Sequence, residues 1–148
     1  METKTQSPAL VMRVIRYCFL AASFAYIYVA IKIPVQPGPP PNLQFQLAIA
    51  IVGITCIIAG VLVPQLISQA AERAPQNNSA EVQRTRWITK GILRIAFFEA
   101  CVLFGLVLHF LHGRVWLVEL LFGAGIAAML LWSPGTPPGT EGGEFPQS

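Results

Sequence analysis

One carboxylate is placed where chemistry is expensive. Glu99 is the single charged residue between Ile95 and Gly113 in "IAFFEACVLFGLVLHFLHG". An ionised carboxylate at the centre of a bilayer costs on the order of 2.5–3.5 kcal/mol on insertion scales. Two arrangements lower that cost. The carboxyl can carry a proton, because desolvation disfavours the charged form, or it can take a cation or hydrogen-bond donors from a neighbouring helix. At a similar depth the candidate partners are Ser23 and Tyr26 in the first apolar run and Thr55 in the second. Arg94 is a poor partner within the same helix: five residues rotate it about 140° away and place it roughly 7.5 Å off along the axis. Two readings stay open. Either a neutral Glu99 ties helices together, or Glu99 reversibly binds a proton or a sodium ion.

A second polar group lies further along. His109 and His112 are three residues apart, on one helical face, and Glu119 follows about one turn from His109 if the chain folds back symmetrically at Gly113. Two histidines and a carboxylate have proton-relay or metal-binding chemistry, but this spacing is no recognised ligand signature. The expected role is an ion pair between Glu119 and His109 or Arg114 that pairs two helices, with no metal. Arg86, Lys90 and Arg94 recur every four residues and form one basic stripe, expected as a collar at the lipid-headgroup level. Cys18, Cys56 and Cys101 lie unpaired in apolar stretches and are small fillers. The chain shows no Ser-His-Asp set, no phosphate-binding glycine loop and no metal-ligand motif, so neither an enzyme nor a cofactor is expected.

The elements that position these groups follow from charge segregation. Of the 148 residues, 54% are hydrophobic and only 11% charged, against about 25% charged in soluble domains. No Asp, Glu, Lys or Arg occurs from Ile33 to Ala71, from Ala100 to Gly113 or from Leu120 to Thr140. Apolar runs near 20 residues match a hydrocarbon layer about 30 Å thick. The expected fold is an all-α membrane protein, a bundle of four transmembrane helices spanning residues 14–33, 43–67, 88–112 and 115–132. Residues 1–13 form an N-terminal segment, and the Pro/Gly-rich residues 133–148 a disordered tail. The first run is read as an anchor, since Tyr28 in "YVA" occupies a position where cleavage needs a small residue.

Local signals refine this layout. "PVQPGPPPN" at residues 34–42 forms a polyproline strap, after which Asn42 caps the second helix. Pro64 is expected to bend that helix without ending it. Asn78 and Glu81 resemble a capping box, so the third helix starts before the membrane. "HGR" leaves room only for a tight hairpin, in which Gly123, Gly125, Ala127 and Ala128 let the fourth helix approach closely. Trp87, Trp116 and Trp132 sit at span ends, as an interfacial belt requires.

Eight basic residues (Lys4, Arg13, Arg16, Arg73, Arg84, Arg86, Lys90, Arg94) flank one side and two (Lys32, Arg114) the other. That bias places both termini in the cytoplasm, in a cell membrane expected to be a bacterial inner membrane. The net charge of +3 therefore reflects topology, not nucleic-acid affinity.

Residues 96–108 resemble the ion-binding helix of the c subunit (proteolipid) of rotary ATP synthases. The matching positions are Ala96, Glu99, Ala100, Phe104, Gly105, Leu106 and Val107, and Arg73-Ala74-Pro75 matches the Arg-x-Pro of the family's loop. The family's glycine ladder is represented only by Gly53 and Gly60. The resemblance implies that Glu99 carries a transported proton or sodium ion in a ring of subunits. The four-span layout is equally similar to many small bacterial membrane proteins. Three functions are thus in play: an ion-handling subunit in an oligomer, a non-catalytic accessory or assembly subunit of a larger membrane complex, and a small proton-coupled antiporter. The antiporter ranks last, because that family's glutamate lies in its first helix and the first span here has no acid.

Overall fold

The computed structural model describes residues 7–33, 38–72, 80–135 and 137. They form four helices: α1 (Pro8–Lys32), α2 (Leu43–Glu72), α3 (Ala80–Phe110) and α4 (Val115–Leu131). The first three are long and apolar enough to cross a membrane. With 17 residues, α4 rises only about 25 Å. It is nonetheless apolar from end to end apart from Glu119.

The helix starts obey local chemistry. Ser7, in extended geometry, accepts a hydrogen bond on its side chain from the Leu10 amide at 3.4 Å, and Pro8 occupies the first helical position, where its missing N–H is harmless. Asn42 caps α2 as expected, its Oδ1 accepting from the Gln44 amide at 3.1 Å. Helix α2 runs unbroken through Pro64, in keeping with the expectation that this proline does not end it. The proposed Asn78 cap, the Arg73-Ala74-Pro75 segment, residues 34–37 of the strap and most of the tail (136 and 138–148) lie outside the described residues.

In the turn between α3 and α4 the left-handed position falls on His112 (φ 59°). The Gly113 amide donates to the Leu108 carbonyl at 2.8 Å and the His112 amide to that of His109 at 3.1 Å. These two bonds define a Schellman C-cap with His112 as its left-handed residue. Gly113 is needed for contact instead: a Cβ there would collide with the Leu108 side chain.

Helix α3 is central. It packs against α1, α2 and α4, whereas α1 and α2 do not touch. The core joins Phe98, Cys101, Val102 and Leu108 of α3 to Leu117, Val118, Leu121, Phe122 and Met129 of α4, with Leu20 and Ala30 from α1 and Ala50 from α2. Gly125 sets the spacing of the hairpin: a Cβ there would stand 2.5 Å from Val102 Cγ2 and 3.0 Å from the Phe98 carbonyl. Gly123, expected at the same seam, has open space around it. The outer surface is apolar all round, with Tyr28, Ile31, Ile51, Leu66 and Leu131 more than 60% exposed. Such a surface is suited to lipid and would be a continuous aggregation patch in water.

Candidate functional site

Glu99 lies on the face of α3 that meets α1 and α4, and is 6% exposed. Ser23 of α1, fully buried, places its Oγ 2.8 Å from Glu99 Oε2. The same hydroxyl is 3.1 Å from the Phe19 carbonyl one turn back and 3.9 Å from the Met129 sulfur of α4. Three helices therefore meet at one hydroxyl. Tyr26, one turn beyond Ser23, also faces the carboxyl and interacts with it electrostatically. Glu99 Oε1 is buried and has no partner among the described residues.

Of the three candidate partners, Ser23 is the bonded one and Tyr26 a near neighbour. Thr55 is a correction. It is exposed and its hydroxyl returns to the Ile51 carbonyl of its own helix at 2.8 Å. The cause is rotation, not depth: α2 packs on α3 where Gly60 meets Phe97, Phe98 and the Arg94 carbonyl, away from the seam that holds Glu99.

Arg94 is not a partner of Glu99, and only loosely a member of the basic collar. Its Nε donates to the Gly60 carbonyl at 3.0 Å and its Nη2 lies 3.5 Å from that of Val61. An α-helical carbonyl bonds the amide four residues on. For Gly60 that residue is Pro64, which has no N–H. Arg94 supplies the donor that Pro64 lacks, and its guanidinium also lies 5.7 Å from the Trp132 ring centroid. Arg86 and Lys90 remain at the helix surface. They line a shallow cleft of about 140 Å³ with Ile67, Thr85, Thr89 and Leu93.

The outer polar group does not assemble. Glu119 is exposed, because the face of α4 that packs inward carries Leu117, Val118, Leu121 and Phe122. It forms no ion pair with His109 or Arg114, so the expected helix-pairing salt bridge is absent. His109 instead packs edge-on against Phe110 at 5.5 Å, with its Nε2 buried and unpartnered. His112 is committed to the turn. Among the described residues no three His, Cys, Asp or Glu side chains converge on a metal position.

Two polar residues that sequence reasoning passed over do structural work. Gln46, 2% exposed, donates through Nε2 to the Pro41 carbonyl at 2.7 Å and accepts on Oε1 from the Arg114 amide at 2.9 Å. It thereby fastens the end of the proline strap to the α3–α4 turn. Its one sequence signal is an amide at the edge of an apolar run. Arg16 donates from Nη2 to the Leu130 carbonyl at 2.6 Å, capping the negative end of α4 with a cation.

Fold and site together define a class: an α-helical membrane protein whose buried carboxylate is bonded across helices with no cation beside it among the described residues. No protein-family model, curated protein or solved structure matches the chain.

Proposed function

We propose that this chain is a four-span membrane protein with both termini in the cytoplasm, and that Glu99 is a proton-binding site working within an oligomer or a larger membrane complex. The observation that carries this reading is the pairing of Glu99 with Ser23. A hydroxyl has one proton to give and two lone pairs to accept with. When Glu99 is ionised, Ser23 donates to Oε2. When Glu99 carries a proton, the carboxyl donates to Ser23 Oγ, and Ser23 turns its own proton to the Phe19 carbonyl 3.1 Å away. The Ser23–Oε2 bond is kept in both states without moving a heavy atom, which is what a reversible site requires and a fixed structural link does not. The unpartnered Oε1 is a second place for the proton.

The ligand shell favours a proton over sodium. Among the described residues the carboxylate, the Ser23 and Tyr26 hydroxyls and a thioether sulfur surround the position, a thinner oxygen shell than hard cations gather. The resemblance of residues 96–108 to the proteolipid helix of rotary ATP synthases points the same way. A bacterial inner membrane fits the basic bias of one set of loops.

The test is carbodiimide labelling of the full chain in lipid, with the modified site mapped by mass spectrometry. Labelling of Glu99 that falls as pH rises supports proton binding, and protection by sodium would assign the site to that ion. A second reading, an accessory subunit in which Glu99 only joins α1, α3 and α4, draws on the Ser23–Met129 contact. Labelling invariant with pH, together with full function of Glu99→Gln in its host complex, would leave that reading standing alone.

A further inference from the structure

The end of the bundle that holds the N-terminus of α1 and the C-terminus of α4 carries a cavity of about 300 Å³, lined by Ala9, Met12, Arg13, Arg16, Tyr17 and Ser133 among others. We propose that this cavity binds the phosphate of an anionic lipid headgroup from the adjoining leaflet. Three observations support this. First, two guanidinium groups share the lining with no carboxylate among the described residues that form it. Like charges held together in a partly dry site call for an anion between them. Second, Arg16 spends only part of its guanidinium within the fold: Nη2 donates to the Leu130 carbonyl, while Nε is buried without a partner among the described residues. A desolvated, charged donor with nothing to bond is the kind of group that a ligand satisfies. Third, the neutral Tyr17 and Ser133 hydroxyls in the lining can donate to the outer oxygens of a phosphate ester. Arginine in particular offers a planar fork that matches phosphate geometry.

The position selects a lipid over a free anion. Arg13 and Arg16 lie within the first three turns of a helix long enough to span the bilayer. Ser133 directly follows Trp132, an interfacial residue type. The cavity thus opens at headgroup depth, beside the exposed and apolar Leu10, Val14 and Leu131, which would lie along acyl chains.

Native mass spectrometry of the full chain, released from micelles containing equal amounts of phosphatidylglycerol and phosphatidylcholine, tests the assignment. The expected result is selective retention of one phosphatidylglycerol, reduced about fivefold in Arg13→Gln, the loss of one basic residue at a membrane surface. Arg13 makes no contact that holds the bundle together, so this variant keeps the fold. Arg16→Gln also removes the cap on Leu130, and is read only alongside a circular dichroism spectrum of the folded protein. Arg86→Gln, on the separate basic stripe, should leave retention unchanged. Equal retention of both lipids, or retention indifferent to Arg13→Gln, overturns the proposal. So does displacement of phosphatidylglycerol by millimolar inorganic phosphate, which would assign the cavity to a soluble anion.

Discussion

Replacing Arg94 with methionine removes the donor that closes the Gly60 carbonyl, and the cost can be worked out beforehand. The Nε–O bond is 3.0 Å long. A hydrogen bond from a charged donor contributes roughly 1.5–3 kcal/mol in water-soluble proteins, but interhelical bonds in membranes average nearer ~0.6 with a ceiling of ~1.7 kcal/mol. The 3.5 Å contact to Val61 adds little, and the loss of the Trp132 contact adds about 0.5–1 kcal/mol. A total of about 2 kcal/mol is expected, read from reversible unfolding in mixed micelles at increasing denaturant. The decisive arm is a double-mutant cycle with Pro64→Ala. Alanine restores an N–H opposite Gly60, so Arg94→Met should cost about 1 kcal/mol less in that background than in the parent. Costs equal within about 0.5 kcal/mol, the usual limit of additivity for independent sites, would show that Arg94 does not substitute for the missing amide.

Further outcomes follow from the same geometry. Gln46→Leu strands the Pro41 carbonyl and the Arg114 amide together; a loss of about 1–3 kcal/mol is expected, with faster hydrogen exchange at the Arg114 amide. Gly125→Leu forces a side chain against Val102 and the Phe98 carbonyl and should cost about 1–3 kcal/mol or more. Gly123→Ala, with open space around it, should be neutral or stabilise by about 0.5–1 kcal/mol through its higher helix propensity, both read by thermal unfolding. Ser23→Ala removes the 2.8 Å donor to Glu99 Oε2 and should lower stability by about 1–2 kcal/mol. In a Glu99→Leu background the same change should cost much less, and an equal cost would show that the two side chains are not coupled.

Much of the layout is legible because hydrocarbon demands apolar length. The four expected spans fall inside or within two residues of the observed helices. Their ends differ where the physics differs: hydropathy marks the edge of the lipid, whereas a helix ends where its hydrogen bonds end. Thus α1 starts at Pro8, where Ser7 caps it, and α3 is already helical at Ala80, eight residues ahead of its apolar run. Depth along a span is equally readable, and it put Ser23 beside Glu99. Rotation about the helix axis is not readable from depth, so Thr55 looked equivalent to Ser23 although it turns away. The same blindness concealed the role of Arg94. Its spacing from Arg86 and Lys90 showed a stripe, but the carbonyl exposed by Pro64 lies on another helix, and only their packing brings donor and acceptor together. Glu119 was misjudged because α4 is apolar on every side, leaving no pattern to say which face packs inward.

Because α1 and α2 do not pack on each other, the chain delivers its first two helices to the membrane before α3 and α4, the partners that hold them. Until α3 emerges, each of the early helices has only lipid for company, and Ser23 waits without the acid it will eventually serve. A nascent chain stopped after Glu72 should therefore carry two independent rods, freely diffusing apart as far as their strap permits. Arrival of the third segment would then gather them in a single step.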